Sequence, residues 1–368
     1  MSEPSHNDSN IKVSVIMPIY NAYDYLRPAM DSVLDQTLSE IEVICVDDGS
    51  TDHSLQILKE YQEKDPRVRI VTEANAGPAL ARNNGMHRAR GEFLIFLDAD
   101  DFFELTLLEK LYRCSVENDL DIAIAGYDHY ISRTSRFVRV VPPEHSSIYS
   151  DMHVTSKNEY PDVILSSTVG SAWNKLFRRS FVEAKELSFL PDVKVFEDVY
   201  FTVTALSLAE RITRVPEVLI HHRIYSEQSR NHYFRTNFTQ IPAVYAEIRA
   251  TMTRRGMYAP LSVSFLNLTA SRCYKIYNLL GAEGKKKFWE QLHNGDGEKL
   301  GWYAIALDKF DDPEVCAFVA NVHAFTHERY IRRVAKGLTF RLRELTRSLA
   351  DQPGFFSRIF GKKKKKTR

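Results

Sequence analysis

The sequence predicts an α/β fold with a mostly parallel central sheet, followed by a helical C-terminal region. Two observations carry this. From Ile11 to about Ala125, short β-branched or aromatic runs alternate with amphipathic ones, and after about Thr236 helical spacing takes over. Strands that alternate with helices build crossover units, which cover both faces of a parallel sheet.

The runs Val13–Ile19, Ile41–Val46, Val68–Val71, Phe93–Leu97 and Ile122–Ala125 are short, rich in β-branched or aromatic residues, and read as buried strands. Between them, Tyr23–Gln36, Ser54–Glu63, Pro78–Arg90 and Leu105–Asn118 have helical patterns. Pro78 suits a first helical position, where its missing N–H would be unpaired anyway. Residues of about 130–160 read as irregular and polar. Val163–Val182 and Asp192–Val215 resume the core pattern, and 236–330 is helical in pattern with no chemistry-bearing motif. Ile331, Val334, Leu338, Leu342, Leu345 and Leu349 are spaced by three or four, as on an amphipathic helix. The expected organisation is a disordered polar N-terminus (1–10), a catalytic domain (11–235), a helical region (236–330) and a basic amphipathic tail (331–368).

Hydrophobic residues make up 44% of the chain and charged ones 26%, proportions that suit a globular core rather than a disordered chain. The four cysteines are far apart, without a CxxC pair, which argues against a zinc site or a disulfide framework and fits a reducing compartment. No secretory signal and no membrane-spanning run is visible, so the expected location is cytoplasmic. From Ile331 onward thirteen Lys and Arg face two acids, a net of +11, so the preceding residues carry −10 of the chain's total of +1.

In parallel sheets ligands bind beyond the carboxyl ends of strands, and the polar clusters fall there. Asp98, Asp100 and Asp101 follow Phe93–Leu97. Carboxylates crowded at a strand end repel one another and need a counter-charge. A hard divalent cation shared with substrate phosphates supplies one; alternatively one Asp caps the next helix and the others are solvated. In Asp47-Asp48-Gly49-Ser50-Thr51-Asp52, the glycine serves a turn and Thr51 or Asp52 can cap a helix, leaving Asp48 free to accept from a nucleobase N–H. Pro18-Ile19-Tyr20-Asn21 is either an ordinary turn or a place where Tyr20 stacks on a base. Glu197-Asp198, flanked by apolar residues, is either partnered structurally or tuned for proton transfer. His221-His222-Arg223, with Ser226 and Ser229, reads as a cationic, donor-rich loop.

Taken together, Val13–Asn21, Val46–Asp52, Ala76-Gly77 with Ala81-Arg82-Asn83, and Phe96–Asp101 resemble glycosyltransferase family 2, inverting enzymes with the GT-A nucleotide-binding fold. The likeness covers about Ile11 to Tyr130 and resumes at Trp173-Asn174-Lys175-Leu176-Phe177 and Phe196-Glu197-Asp198; 236–330 matches no motif. The resemblance implies that Pro18, Tyr20 and Asn21 line the base pocket, that Asp48 reads the base, usually uracil, and that Arg82 lies near the nucleotide. It implies that Asp98 approaches the ribose or metal and that Asp100 binds Mn2+ or Mg2+, with Asp101 able to substitute for either. On the same resemblance His222 would join Asp100 as a metal ligand, and Arg223 and Ser229 would serve the diphosphate. Trp173, Asn174 and Glu197 would border the sugar and acceptor, with Asp198 as the catalytic base. The implied donor is a nucleotide sugar and the implied acceptor a glycan or lipid-linked glycan of the cell surface.

The tail, with Phe355, Phe356, Ile359 and Phe360 beside Lys362–Lys366, admits a packed helix or an anchor on an anionic membrane surface. Charge alone would also admit nucleic acid; the bulky apolar neighbours favour the membrane, on the inner face of the cytoplasmic membrane. Among rival classes, a dinucleotide-dependent oxidoreductase lacks GxGxxG in the first βα turn. A nucleotidyltransferase lacks a basic glycine-rich turn there, and a nucleotide-sugar-binding regulatory module would bind without turnover.

Overall fold

Side-chain alternation along the first strand sets the layers of the molecule. In the computed structural model, β1 (Val13–Ile19) sends Val13, Val15, Met17 and Ile19 into one apolar cluster and Ile16 into another on the opposite face, the period-2 consequence of a pleated backbone. β2 (Ile41–Asp47), β3 (Val68–Thr72) and β4 (Phe93–Phe96) complete a parallel block with the order β3-β2-β1-β4. The helices α1 (Tyr23–Leu34), α2 (Ser54–Lys64), α3 (Pro78–Met86) and α4 (Leu107–Glu117) fall where the periodicity expects them, with Pro78 opening α3. The structure describes residues 11–143, 145–191, 193, 195–225 and 235–337. The N-terminus 1–10, Ser226, Ser229 and the tail from 338 lie outside the described residues.

Beyond β4 the sheet becomes mixed. β8 (Lys175–Arg178) runs antiparallel between β4 and β6 (Ile122–Ile131), β9 (Ile212–Ile224) lies parallel to β6, and the two-residue β5 (Phe102–Phe103) pairs antiparallel with β9. β6 continues well past Ala125 and turns back through β7 (Arg136–Arg139), so part of the segment expected to be irregular is a hairpin. The register against β9 shifts at Gly126, where a Cβ would stand 2.4 Å from the Glu217 carbonyl oxygen. That close approach is a reason for glycine in mid-strand. A second correction follows. His221, His222 and Arg223 belong to β9 and not to a loop, so their side chains have directions fixed by the sheet.

The C-terminal helices α7 (Ile241–Arg254), α8 (Ser262–Leu279), α9 (Ala282–Gln291) and α10 (Pro313–Ala324), with α5 (Arg179–Ala184) and α6 (Glu197–Leu208) before them, are numbered in chain order. Residues of α7 to α10 share one hydrophobic cluster with α6 and with Phe96, Ile122 and Phe177 of the sheet. The helical region therefore packs directly behind the element that carries Glu197 and Asp198. Among the described residues no helix is long and apolar enough to cross a membrane.

Candidate active site

The carboxyl ends of β1, β2 and β4 open onto a cleft of about 520 Å³ lined by Tyr20, Asp48, Arg82, Asp98, Asp100 and Glu197, among others, a size within the range of small-molecule sites. Tyr20 stands at its mouth, 53% exposed, with its ring available for stacking. Pro18 and Asn21 also line it. Asn21 has a left-handed backbone (φ 50) and its amide oxygen accepts from the Thr51 and Asp52 backbone N–H groups at 2.8 and 3.3 Å, tying the first strand-end loop to the second. Asp48 accepts from the Ala76 and Gly77 amides at 2.7 and 2.9 Å, which fixes the loop before α3 and leaves each carboxylate oxygen a further lone pair.

The floor of the cleft is an ion cluster. Buried Arg82, on α3, donates to Asp98 at 2.9 Å and to Glu197 at 2.8 Å, and stacks on Phe189. Burial works against the guanidinium charge, but Asp98, Glu197 and Asp198 outweigh it and hold Arg82 above its ordinary pKa. Asp198, half-buried in the first turn of α6, is pushed up to about 7 by burial and by the Glu197 charge, with Arg82 pulling the other way. A carboxyl so placed loses its proton near neutral pH, as a general base must. Phe196 ahead of it takes a left-handed backbone (φ 62), the sharp entry that turns Glu197 into the cleft.

Asp100 lines the cleft and accepts from the Tyr225 hydroxyl at 2.9 Å. Burial and the neighbouring Asp98 raise its pKa, the mark of a carboxylate short of positive charge. Asp101 departs from expectation. It is fully buried, outside the cleft lining, and accepts from His222 Nδ1 at 3.0 Å and from the Arg223 backbone N–H at 2.7 Å. Asp98 to Asp101 form a turn, closed by the Asp101 N–H on the Asp98 carbonyl at 3.2 Å, and the two carboxylates leave it in different directions, Asp100 into the cleft and Asp101 toward His222. Asp101 instead fixes His222, whose ring lies stacked on Trp173 at 4.8 Å between centroids. Burial opposes the charge on His222, yet Asp101, Asp98 and Asp100 together raise its pKa.

Three more expectations are corrected. Arg223 does not face the cleft: its guanidinium sits over the rings of Tyr25, Phe102 and Tyr130, and its Nε donates to the Asp100 carbonyl at 2.6 Å. It braces the acidic turn from behind. Asn174 is buried, donating to the Ala125 carbonyl and accepting from Lys175, so it belongs to the core. Trp173 is buried against Tyr127 and His222 and reaches the site only through the latter. Conversely Tyr25, Asn75 and Tyr225 line the cleft without any spacing signal in the sequence; the sheet alone brings Tyr225 to Asp100.

A divalent ion fits this donor set. Hard carboxylate oxygens stand at Asp98 and Asp100 in the cleft lining, the donor type Mg2+ or Mn2+ takes, while His222, bound through Nδ1 to Asp101 and stacked on Trp173, is not among the residues that line the cleft. Among the described residues no three acidic, His or Cys side chains form a ready-made cage. Phosphate oxygens of a substrate would have to complete the shell, as is usual for ions bound to nucleotides.

Residues 14–184 match the family described as Glycosyl transferase family 2. The chain is 30% identical over 288 residues to the putative glycosyltransferase EpsH of Bacillus subtilis, spanning 77% of this chain and 81% of that protein. Among solved structures, S. aureus TarS 1–349 in complex with UDP-GlcNAc superposes with a TM-score of 0.65 at 22% identity, over 85% of this chain and 87% of that one. The mannosyltransferase PcManGT from Pyrobaculum calidifontis, in complex with GDP-Man and Mn2+, gives 0.50 at 16% identity, over 84% and 85%. At such identities the structural likenesses establish the shared fold.

Proposed function

The chain belongs to glycosyltransferase family 2, and from that premise we propose an inverting transfer of a sugar, of hexosyl or N-acetylhexosaminyl type, from a UDP-sugar to a hydroxyl of a glycan or lipid-linked glycan of the cell surface. The observation that carries this reading is the convergence of Asp98, Asp100, Glu197 and Arg82 on the floor of one cleft, beneath exposed Tyr20. The UDP-GlcNAc held by TarS supports the choice of base.

Tyr20 and Asp48 hold the base, and Arg82 locks Asp98 and Glu197 in place. Asp98 and Asp100 are the residues that would hold Mn2+ or Mg2+, whose chemistry here is to neutralise charge on the departing diphosphate. Asp198 takes the proton of the acceptor hydroxyl while that oxygen attacks the anomeric carbon. The new C–O bond forms as the bond to the diphosphate breaks, the electron pair leaving with the nucleoside diphosphate. One displacement inverts the anomeric centre, with no covalent intermediate on the chain.

Thermal denaturation against a panel of nucleotides and nucleotide sugars tests the donor. UDP with Mn2+ is expected to raise Tm by several degrees, and at a ligand concentration of 100 Kd the stabilisation is about 2.7 kcal/mol. Chelator should remove it. Stabilisation by GDP-sugars and not by UDP-sugars would overturn the choice of base, and stabilisation by NAD alone would overturn the class.

We propose further that the basic tail docks on an anionic membrane surface at the inner face of the cytoplasmic membrane. Its Lys and Arg residues stand beside Phe355, Phe356, Ile359 and Phe360, and each basic residue near such a surface contributes about 1 kcal/mol. Deleting Phe355–Arg368 is expected to abolish co-sedimentation with phosphatidylserine vesicles while sparing turnover of a water-soluble acceptor. Undiminished co-sedimentation would refute the anchor.

A further inference from the structure

The β6–β7 hairpin stands beside the rim of the cleft. β6 and β9 run side by side through Ile131 and Ile224, and the next residue of the β9 chain, Tyr225, lines the cleft and donates to Asp100. β7 lies one strand beyond β6, so at about 4.8 Å per strand its backbone is about 10 Å from that of β9. The hairpin is also tied to the acidic turn. Arg223, which braces that turn, donates to Ser132 Oγ at 3.4 Å. Phe137 packs on Tyr130 and His221, with ring centroids 5.1 and 4.9 Å apart. The hairpin therefore has a fixed attitude to the mouth of the cleft.

Its surface combines free positive charge with apolar side chains. Every residue from Arg133 to Arg139 is exposed. Arg133, Arg136 and Arg139 make no ion pair among the described residues, and no Asp or Glu occurs between His129 and Pro143. Arg139 stands opposite Asp128 in register, but that carboxylate accepts from His221 Nδ1 at 2.8 Å. Phe137, Val138 and Val141 are exposed beside the arginines, Val141 at 87%. Arg136 and Arg139 are three residues apart and so fall on opposite faces of β7, which brings charge to both sides of its open edge. Charged side chains on an edge strand commonly block pairing with another chain. That accounts for the arginines but not for three apolar side chains left in water beside them. A second copy is a poor occupant of this edge. In the register that pairs all of β7 with all of another β7, Arg136 would oppose Arg139 twice, and like charges directly opposite are destabilising. An anionic bilayer satisfies both kinds of side chain, since its headgroups take arginine and its interface takes bulky apolar groups. The rest of the body sharpens the choice. Residues before 331 carry a net −10, so within a Debye length, about 8 Å at physiological salt, an anionic surface repels most of the body and admits a face that has no acids.

We infer that the β6–β7 hairpin is a docking edge for an anionic lipid surface: Arg133, Arg136 and Arg139 meet the headgroups, Phe137, Val138 and Val141 enter the interface, and the mouth of the cleft is turned toward the bilayer. The contact is too small to hold the chain by itself. It sets how a chain already tethered by its tail sits on the surface, and it stands on residues separate from the tail and from the cleft lining.

Fluorescence of the full chain carrying Val141→Trp tests it, because the three native tryptophans, Trp173, Trp289 and Trp302, are buried. On phosphatidylserine vesicles the emission is expected to shift to the blue and to be quenched at least twofold by brominated lipid; phosphatidylcholine vesicles should leave it unchanged. Combining Arg133→Glu, Arg136→Glu and Arg139→Glu should remove the shift. In the otherwise wild-type full chain, with its tail intact, the same triple change should lower affinity for phosphatidylserine vesicles at least tenfold. That second measurement needs no tryptophan and decides the matter if Val141→Trp does not fold. An unshifted emission on phosphatidylserine, or full vesicle affinity in the triple variant, overturns the inference. So does an equal blue shift with an RNA oligomer, which would assign the edge to nucleic acid. A dimer that the triple variant splits would assign it to a second copy and overturn the inference as well. UDP affinity should be the same in all variants. A chain that binds no UDP counts against the transferase reading, and that failure is separable from a failure here.

Discussion

Replacing Asp198 by asparagine is expected to lower kcat by roughly 10²–10⁴-fold, the contribution typical of a positioned general base, while UDP binding is retained. The substitution is nearly isosteric, and the asparagine oxygen can still accept from the Val199 amide as Asp198 does at 2.8 Å. What it removes is the charge. Because burial and Glu197 already push the Asp198 carboxyl up to about 7, that charge is held against the surroundings, and its loss should leave thermal stability equal or raised above pH 7. The combination is diagnostic: a structural carboxylate would lose stability, whereas a base loses turnover alone. The pH profile supplies the second readout. The base must be ionised to act, so the wild-type kcat/KM should fall as pH drops through about 7, and the residual activity of the variant should lack that acid limb. Unaltered kcat in Asp198→Asn, or an acid limb that survives it, would assign the proton transfer to another group.

Only part of this site was legible in the sequence, and the division has a physical cause. The strands β1, β2 and β4 are buried along nearly their whole length, so each appears as a predominantly apolar run, and the polar residues behind each run mark the sheet edge where Tyr20, Asp48, Asp98 and Asp100 line the cleft. β9 hides because Pro216, Glu217 and Val218 are exposed in its middle, where the register slips against Gly126. An interrupted period reads as a loop. β8 hides because it is four residues long and joins the sheet antiparallel, against the βαβ rhythm before it.

The same distinction separates the expected site residues that line the cleft from those that do not. A motif fixes which residues stand at a strand end, but not which way each side chain points once the chain leaves the strand. Asp100 and Asp101 are neighbours in sequence, yet one lines the cleft and the other is sealed behind it with His222. Arg223 looks like a phosphate ligand because it is an arginine among polar residues. Three aromatic rings, contributed by α1, β5 and β6, determine that it is a strut, and those come together only through the sheet.

Removing the Arg82 side chain is the change expected to cost the most stability. Arg82 is 7% exposed and is the shared partner of Asp98 and Glu197, with Asp198 within electrostatic reach. Breaking a buried ion pair by deleting one partner leaves an uncompensated charge, at a cost of about 3–5 kcal/mol. In Arg82→Met the bulk is largely kept, so packing contributes little to that loss and repulsion among the three carboxylates contributes most. The sign of the pH dependence follows. A carboxyl whose folded pKa lies above its unfolded value destabilises the fold while ionised, and the fold regains stability as pH falls through the folded value. With Asp198 at about 7 in the presence of Arg82 and higher without it, the deficit of Arg82→Met should be greatest above pH 7 and narrow toward pH 5. Arg82→Lys should fall between the two, since it restores charge but not the fork that spans both acids. Denaturant unfolding of the three proteins at pH 5, 7 and 8.5 measures this; a deficit that does not change with pH would show that Arg82 stabilises by packing on Phe189 and not by balancing the acids. The catalytic consequence follows from the same geometry. Glu197 and Asp198 share a helical turn, so a turn loosened by the loss of Arg82 should lower kcat even at a pH where the protein remains folded.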